Sequence, residues 1–322
     1  MENLPERSSP SFNDTMVQGH KMSDYLSLAK SGKNQWWRYL LAAIFVILSS
    51  QFLGLIPSLL YVELAEQGSL SSEEFEFYKS DLDFEALGLS NNLGLLCLIL
   101  SFAIGLLALW VSLRWIHKRP FLLLVNGFKK FRWNRIWFSV LIWGAISILH
   151  FLLGALISDD VIYLQFEWQS FLPLLIICVI FLPLQTSFEE FLFRGYYMQG
   201  IALLTKYPAI PILLTSALFA LAHMFNPEVA AFGWEVMFVY YFCFGVCMAI
   251  VTVMDKGIEL ALGMHAIHNI ISALTVTYED AVIQTDAIWL AEKVEFGWQE
   301  LLGFVVMFFF FLYFCHLRFE DV

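Results

Sequence analysis

Eight predominantly apolar runs, near 38–61, 92–116, 136–157, 171–194, 209–226, 233–254, 257–276 and 299–317, constrain this chain more than any other feature. Each approaches the roughly 20 residues that a helix needs to cross the hydrocarbon core of a bilayer. Of the 322 residues, 59% are hydrophobic and only 15% charged, and thirty-two are Phe. With a mean hydropathy of +0.70, that is the composition of a polytopic membrane protein. The expected fold is all-α, with about eight transmembrane helices. Residues 1–37 form a cytoplasmic N-terminal segment, and 38–322 form one transmembrane domain.

The charges between the runs set the expected orientation. Arg7, Lys21, Lys30, Lys33 and Arg38 precede the first span, and Arg114, Lys118, Arg119, Lys129, Lys130, Arg132 and Arg135 surround the loop between the second and third. Lys and Arg concentrate on the cytoplasmic side. The 62–91 loop carries eight acids against Lys79, and the 277–298 loop is likewise acidic with only Lys293, so both face outward. Arg194 with Lys206, then Lys256, then Arg318 mark the remaining inner ends, which closes the alternation with both termini cytoplasmic. The polar first 35 residues contain no apolar signal region, and a cleaved signal peptide is not expected. Cys97, Cys178, Cys243, Cys247 and Cys315 all lie in apolar runs, so no disulfides are expected.

Two breaks weaken the regularity of the fourth and fifth runs. Pro183 interrupts the fourth, and Pro208 and Pro211 suit the opening of the fifth better than its interior. The fourth helix has no firm stop after Arg194 and extends toward Leu204. Trp36, Trp37, Trp133, Trp137, Trp168 and Trp298 sit near span ends, where interfacial aromatics concentrate.

Against this background, Glu189, Glu190 and Arg194 stand out within the fourth run. An ionisable group in hydrocarbon costs at least a few kcal/mol, and such groups usually face a cavity and pair with one another. Glu190 and Arg194 are four apart and share a helix face, whereas Glu189 is rotated by about 100°. The wheel therefore lets Arg194 neutralise Glu190 and leaves Glu189 free. Downstream, Phe219 and His223 are four apart, as are His265 and Asn269, while His268 is about 60° off His265. Helices starting near 171, 211 and 258 put Glu189 and His265 at a shared depth but leave His223 deeper. A carboxylate, His side chains and an amide make a plausible hydrolytic set: a base for water, a proton relay and an oxyanion donor.

These residues fall into three motifs, EEFLFR, FALAH and HAIHN, across about 171–276. The motifs resemble EExxxR, FxxxH and HxxxN of the CPBP family of intramembrane proteases, which includes CAAX prenyl endopeptidases and bacteriocin-processing or immunity homologues. The resemblance implies a helical bundle with a cavity open to the cytoplasm and the lipid, and catalytic motifs within 185–270. It implies that Glu189 with His223 activates the attacking water, that His265 and Asn269 form the oxyanion site, and that Glu190 and Arg194 give structural support. The expected substrate is a membrane-embedded or lipidated, CAAX-like peptide, and the expected setting is the lipid bilayer of a bacterial cell membrane. No nucleic-acid partner is expected.

No metal and no cofactor are expected. The alternative is a zinc ion on Glu189, His223 and His265, three ligands with one position left for water. HExxH is absent from the sequence. Two other functions use the same residues: a proton-coupled transporter or channel with Glu and His as a relay, or a non-catalytic membrane immunity or scaffold protein. The transporter reading predicts inverted repeats or paired broken helices, and the sequence shows neither.

Overall fold

The computed structural model of the protein describes residues 25–128, 130–157, 162–278, 281, 284–292 and 294–319. Arg7, Lys21, Lys129, Lys293 and most of the expected N-terminal segment lie outside the described residues.

The protein is an all-α polytopic membrane protein, and all eight expected runs are helical at their centres. Among the described residues, six helices are long and apolar enough to cross a membrane. They are α1 (Trp36–Val62), α3 (Asn91–His117), α5 (Trp133–Ile157), α6 (Trp168–Ala202), α9 (Trp234–Met254) and α11 (Trp298–Arg318). Shorter helices lie between them: α2 (Ser72–Asp81), the turn α4 (Leu122–Val125), α7 (Ala209–Ala222), α8 (Pro227–Phe232) and α10 (Glu259–Thr275). The fifth and seventh runs are thus the short ones, 14 and 17 residues long, held by protein on several sides.

Much of the surface of the long helices is lipid-type. Leu141, Leu156, Leu302 and Phe309 are all exposed, as a bilayer rather than water would require of so many large apolar groups. The acid-rich 62–91 segment folds as α2, started by a capping box in which Ser71 and Glu74 satisfy each other's backbone N–H groups. The 276–291 segment, expected as loop, contributes two strands to a small sheet in the order β1-β3-β2: β1 (Ile162–Leu164), β2 (Val276–Thr277) and β3 (Trp289–Ala291). Strand β3 pairs antiparallel to β1 and parallel to β2. Asn92 ties this end together by donating to the Ser170 carbonyl and to Asp286, both at 2.8 Å.

The opposite end is held by buried charge. Arg132 pairs with Asp255 at 2.7 Å and Glu259 at 2.6 Å, and Arg135 pairs with Asp255 at 3.0 Å. These arginines, expected as loop charges, are therefore structural. The reason is local: Ile258 donates its N–H to Val125 O at 2.9 Å, and Asn126 bridges Gly257, which draws the start of α10 onto the turn α4. Tyr25, expected in a free polar segment, is also buried. Its hydroxyl donates to Leu124 O at 2.6 Å and lies 3.2 Å from Arg194 O, so residues 25–31 pack beneath the motif-bearing helix.

Candidate active site

The helix that carries both carboxylates changes character at the motif. It is α-helical over Trp168–Glu190, π-helical over Phe191–Tyr197 and α-helical again to Ala202. Pro183 removes one backbone donor inside it, and the hydroxyl of Thr186 turns back to Leu182 O at 3.3 Å. π-Helical turns occur disproportionately at functional sites.

Extension of this helix to Ala202 removes the depth conflict that the spacing alone posed for His223. Glu189 lies thirteen residues before Ala202 and His223 fourteen after Ala209, so both sit about 20 Å from those adjoining ends. For His265 the reference is α4. A Cβ on Gly195 would come within 3.0 Å of Leu124 Cβ, so α4 lies level with Gly195. The start of α10, bonded to the end of α4, shares that level. Glu189 is six residues from Gly195 and His265 six from Glu259, which puts both roughly 9 Å above it. Helix α10 packs closely on α5 because Gly263 has no side chain: a Cβ there would lie 2.2 Å from Ser139 Oγ and 2.5 Å from Ile136 O.

Glu190 is the hub of the buried charge. Its Oε1 receives Arg194 Nη1 at 3.0 Å and His265 Nδ1 at 2.7 Å. Arg194 also donates to Gly245 O at 3.3 Å, and its guanidinium lies 4.6 Å from the Phe219 ring centre. Its partners come from its own helix and from α7 and α9, which suits a charge that is completely enclosed. Glu189, on the neighbouring face, is not free. Gln185 Nε2 donates to its Oε1 at 2.9 Å, while its Oε2 has no hydrogen-bond partner and stands 3.7 Å from His265 Nε2.

The histidine tautomers follow from their neighbours. His223 caps the end of α7, and its Nδ1 lies 2.7 Å from Phe219 O, an acceptor only. Nδ1 therefore carries the proton, and Nε2 of the neutral ring is an acceptor. Phe219 and Tyr241 flank the ring at 4.3 and 4.5 Å between centres. His265 Nδ1 likewise donates, to Glu190, so its Nε2 is an acceptor in the neutral ring and a donor only in the imidazolium. Asn269 donates to Gln185 Oε1 at 3.4 Å, a weak contact that ties it to the partner of Glu189. His268 meets Trp143 Nε1 at 3.5 Å and the Tyr240 hydroxyl at 3.3 Å, so it both lines the cavity and joins helices.

Glu189, His223, His265 and Asn269 line one cavity of about 330 Å³, and Glu190 and Arg194 lie behind its wall. From these groups the cavity extends past Tyr240 and Tyr241 to Tyr278, Thr285 and Phe296, at the acidic end of the molecule. The resemblance implied an opening toward the basic, cytoplasmic end. Among the lining residues that the sequence reading did not single out are Gln185, Glu228 and Tyr241. Gln185 was legible as the residue four before Glu189, whereas Glu228 and Tyr241 belong to no motif and meet only through the α8–α9 turn. Among the described residues, no three His, Cys, Asp or Glu side chains converge as a metal-binding set. The alternative zinc ligands Glu189, His223 and His265 thus share a cavity without forming a chelate, and His265 Nδ1 is already committed to Glu190.

Residues 168–271 match the family model for Rce1-like type II CAAX prenyl endopeptidases, a protease family. The match runs from the start of α6 into α10 and contains all three motifs. The chain is also similar to the uncharacterized protein YyaK of Bacillus subtilis (strain 168), 33% identical over 189 residues. That alignment covers 58% of this chain and 63% of the relative, slightly less than two thirds of its length. No solved structure matches the chain. The segment that builds the site, residues 168–271, is Rce1-like, in keeping with the CPBP family whose three motifs it carries.

Proposed function

We propose that the protein is an intramembrane endopeptidase that hydrolyses a peptide bond in a membrane-associated substrate with water activated by Glu189. The observation that carries this reading is the shared cavity: Glu189, whose Oε2 has no hydrogen-bond partner, His223 in its acceptor tautomer and the anchored His265 line one space. A water there gives its proton to Glu189 while its oxygen bonds to the scissile carbonyl carbon. The carbonyl π electrons move onto oxygen, where donors stabilise the charge. Asn269, after releasing Gln185, supplies its amide, and His265, oriented through Nδ1 by Glu190, contributes Nε2–H when its ring carries a second proton. Collapse of the intermediate breaks the C–N bond, and the proton held by Glu189 passes to the leaving nitrogen. Long or weak contacts such as that of Asn269 are common before substrate binds.

Glu190 and Arg194 are positioning residues in this scheme. The scheme uses no metal. Full activity after exhaustive chelation fits this, whereas loss on chelation with recovery on adding zinc points to the ligands Glu189, His223 and His265. The endopeptidase reading is tested by comparing membrane-peptide fragments from cells producing the wild type, Glu189→Gln, His223→Ala or His265→Ala at equal levels. Specific fragments should vanish in all three variants. Fragments that persist in all three would refute it.

A further inference from the structure

Glu228 is buried, only 8% exposed, and lines the same cavity as Glu189, yet no motif includes it. The Asn226 side-chain amide donates to the Tyr241 hydroxyl at 3.0 Å, so that hydroxyl turns its own proton to Glu228 Oε1, 2.5 Å away. Glu228, through its Oε1 atom, is thus the terminal acceptor of a short relay. Its second oxygen, Oε2, is enclosed and has no hydrogen-bond partner. A buried acceptor of this kind is costly unless an occupant supplies a donor, and more so when it is charged.

The walls suit one kind of occupant. Among the described residues, Glu189 and Glu228 are the acids that line the cavity, and no Lys or Arg lines it. Aromatic rings run almost continuously along one side: His223 to Tyr241 at 4.5 Å, Tyr241 to Tyr240 at 5.4 Å, Tyr240 to Phe296 at 5.0 Å, and Phe296 to Phe232 at 5.9 Å. Aromatic faces beside a carboxylate attract ammonium and guanidinium groups. A hydrocarbon tail would fill the same space without pairing the carboxylate.

We infer that Glu228 is a recognition site for a cationic side chain, Lys or Arg, of the peptide bound in the cavity. The inference rests on the endopeptidase reading for the identity of the ligand as a substrate, but binding of a cation tests it without turnover. The full-length protein in phosphatidylcholine nanodiscs is titrated calorimetrically with octylguanidinium and with octylurea, its uncharged isostere. The wild type and Glu189→Gln should each bind octylguanidinium at least tenfold more tightly. Glu228→Gln should lower that preference to twofold or less, and Glu228→Asp should retain part of it. Equal affinity for the two ligands in the wild type overturns the inference, and this comparison needs no variant. So does a tenfold preference that survives in Glu228→Gln. A cation preference without any peptide hydrolysis would support the site while removing the protease reading; hydrolysis by a protein indifferent to the ligand's charge would do the reverse.

Discussion

Two carboxylates adjacent in one helix have different surroundings, and the proposed mechanism gives them different roles. Glu190 is completely buried between Arg194 and His265, so Glu190→Gln leaves a guanidinium enclosed without its counter-charge. Breaking a buried pair in this way costs about 3–5 kcal/mol. A marked fall in the thermal midpoint and in membrane yield of Glu190→Gln is expected. Glu189→Gln keeps a hydrogen-bonding partner for Gln185, so its midpoint should stay close to that of the wild type while hydrolysis falls by roughly 10²–10⁴-fold. Thermal unfolding of both purified variants, run beside the wild type, checks the division; equal midpoints would show that the two carboxylates are equivalent. The pairing of Glu190 with Arg194 was legible from a four-residue spacing. The bond from His265 to Glu190 was not, because it joins residues 75 apart through the packing of two helices.

At the scale of elements, the position of His265 depends on how closely α10 approaches α5. Gly263→Val would push β-branched bulk against Ser139 and the Ile136 backbone, and overpacking of this kind costs about 1–3 kcal/mol. It should lower both stability and hydrolysis, whereas Gly154→Ala, where an added Cβ meets nothing within 4 Å, should change neither. The other determinant is the ionic cluster at the start of α10. Asp255→Ala removes a partner from both Arg132 and Arg135, with an expected loss of about 3 kcal/mol, read from the unfolding midpoint. Hydropathy revealed where these helices lie, and even the continuation of the fourth past Arg194. It did not reveal that Arg119 and Arg135 are buried or that Arg132 is paired with two buried acids, since a charge count cannot tell a solvated loop from one folded onto a helix start. The short strands at the other end were equally hidden: two or three residues pair only when segments distant in sequence meet.

For the molecule as a whole, charge asymmetry and cavity direction give a joint expectation. The acidic α2 and the 276–296 segment lie at the end reached by the cavity, while Arg132, Arg135 and Lys256 lie at the other. If Lys and Arg mark the cytoplasm, substrate enters from outside the cell. An impermeant maleimide should label Glu76→Cys in intact cells and Lys206→Cys only after permeabilisation, both positions being exposed. The reverse pattern would turn the cavity toward the cytoplasm. The central claim, however, is chemical. It is tested most directly by reconstituting the purified protein in liposomes with a membrane-peptide library and identifying new peptide termini by mass spectrometry. New termini should form with the wild type and disappear with Glu189→Gln at an unchanged unfolding midpoint; cleavage that persists in the folded variant would contradict the account.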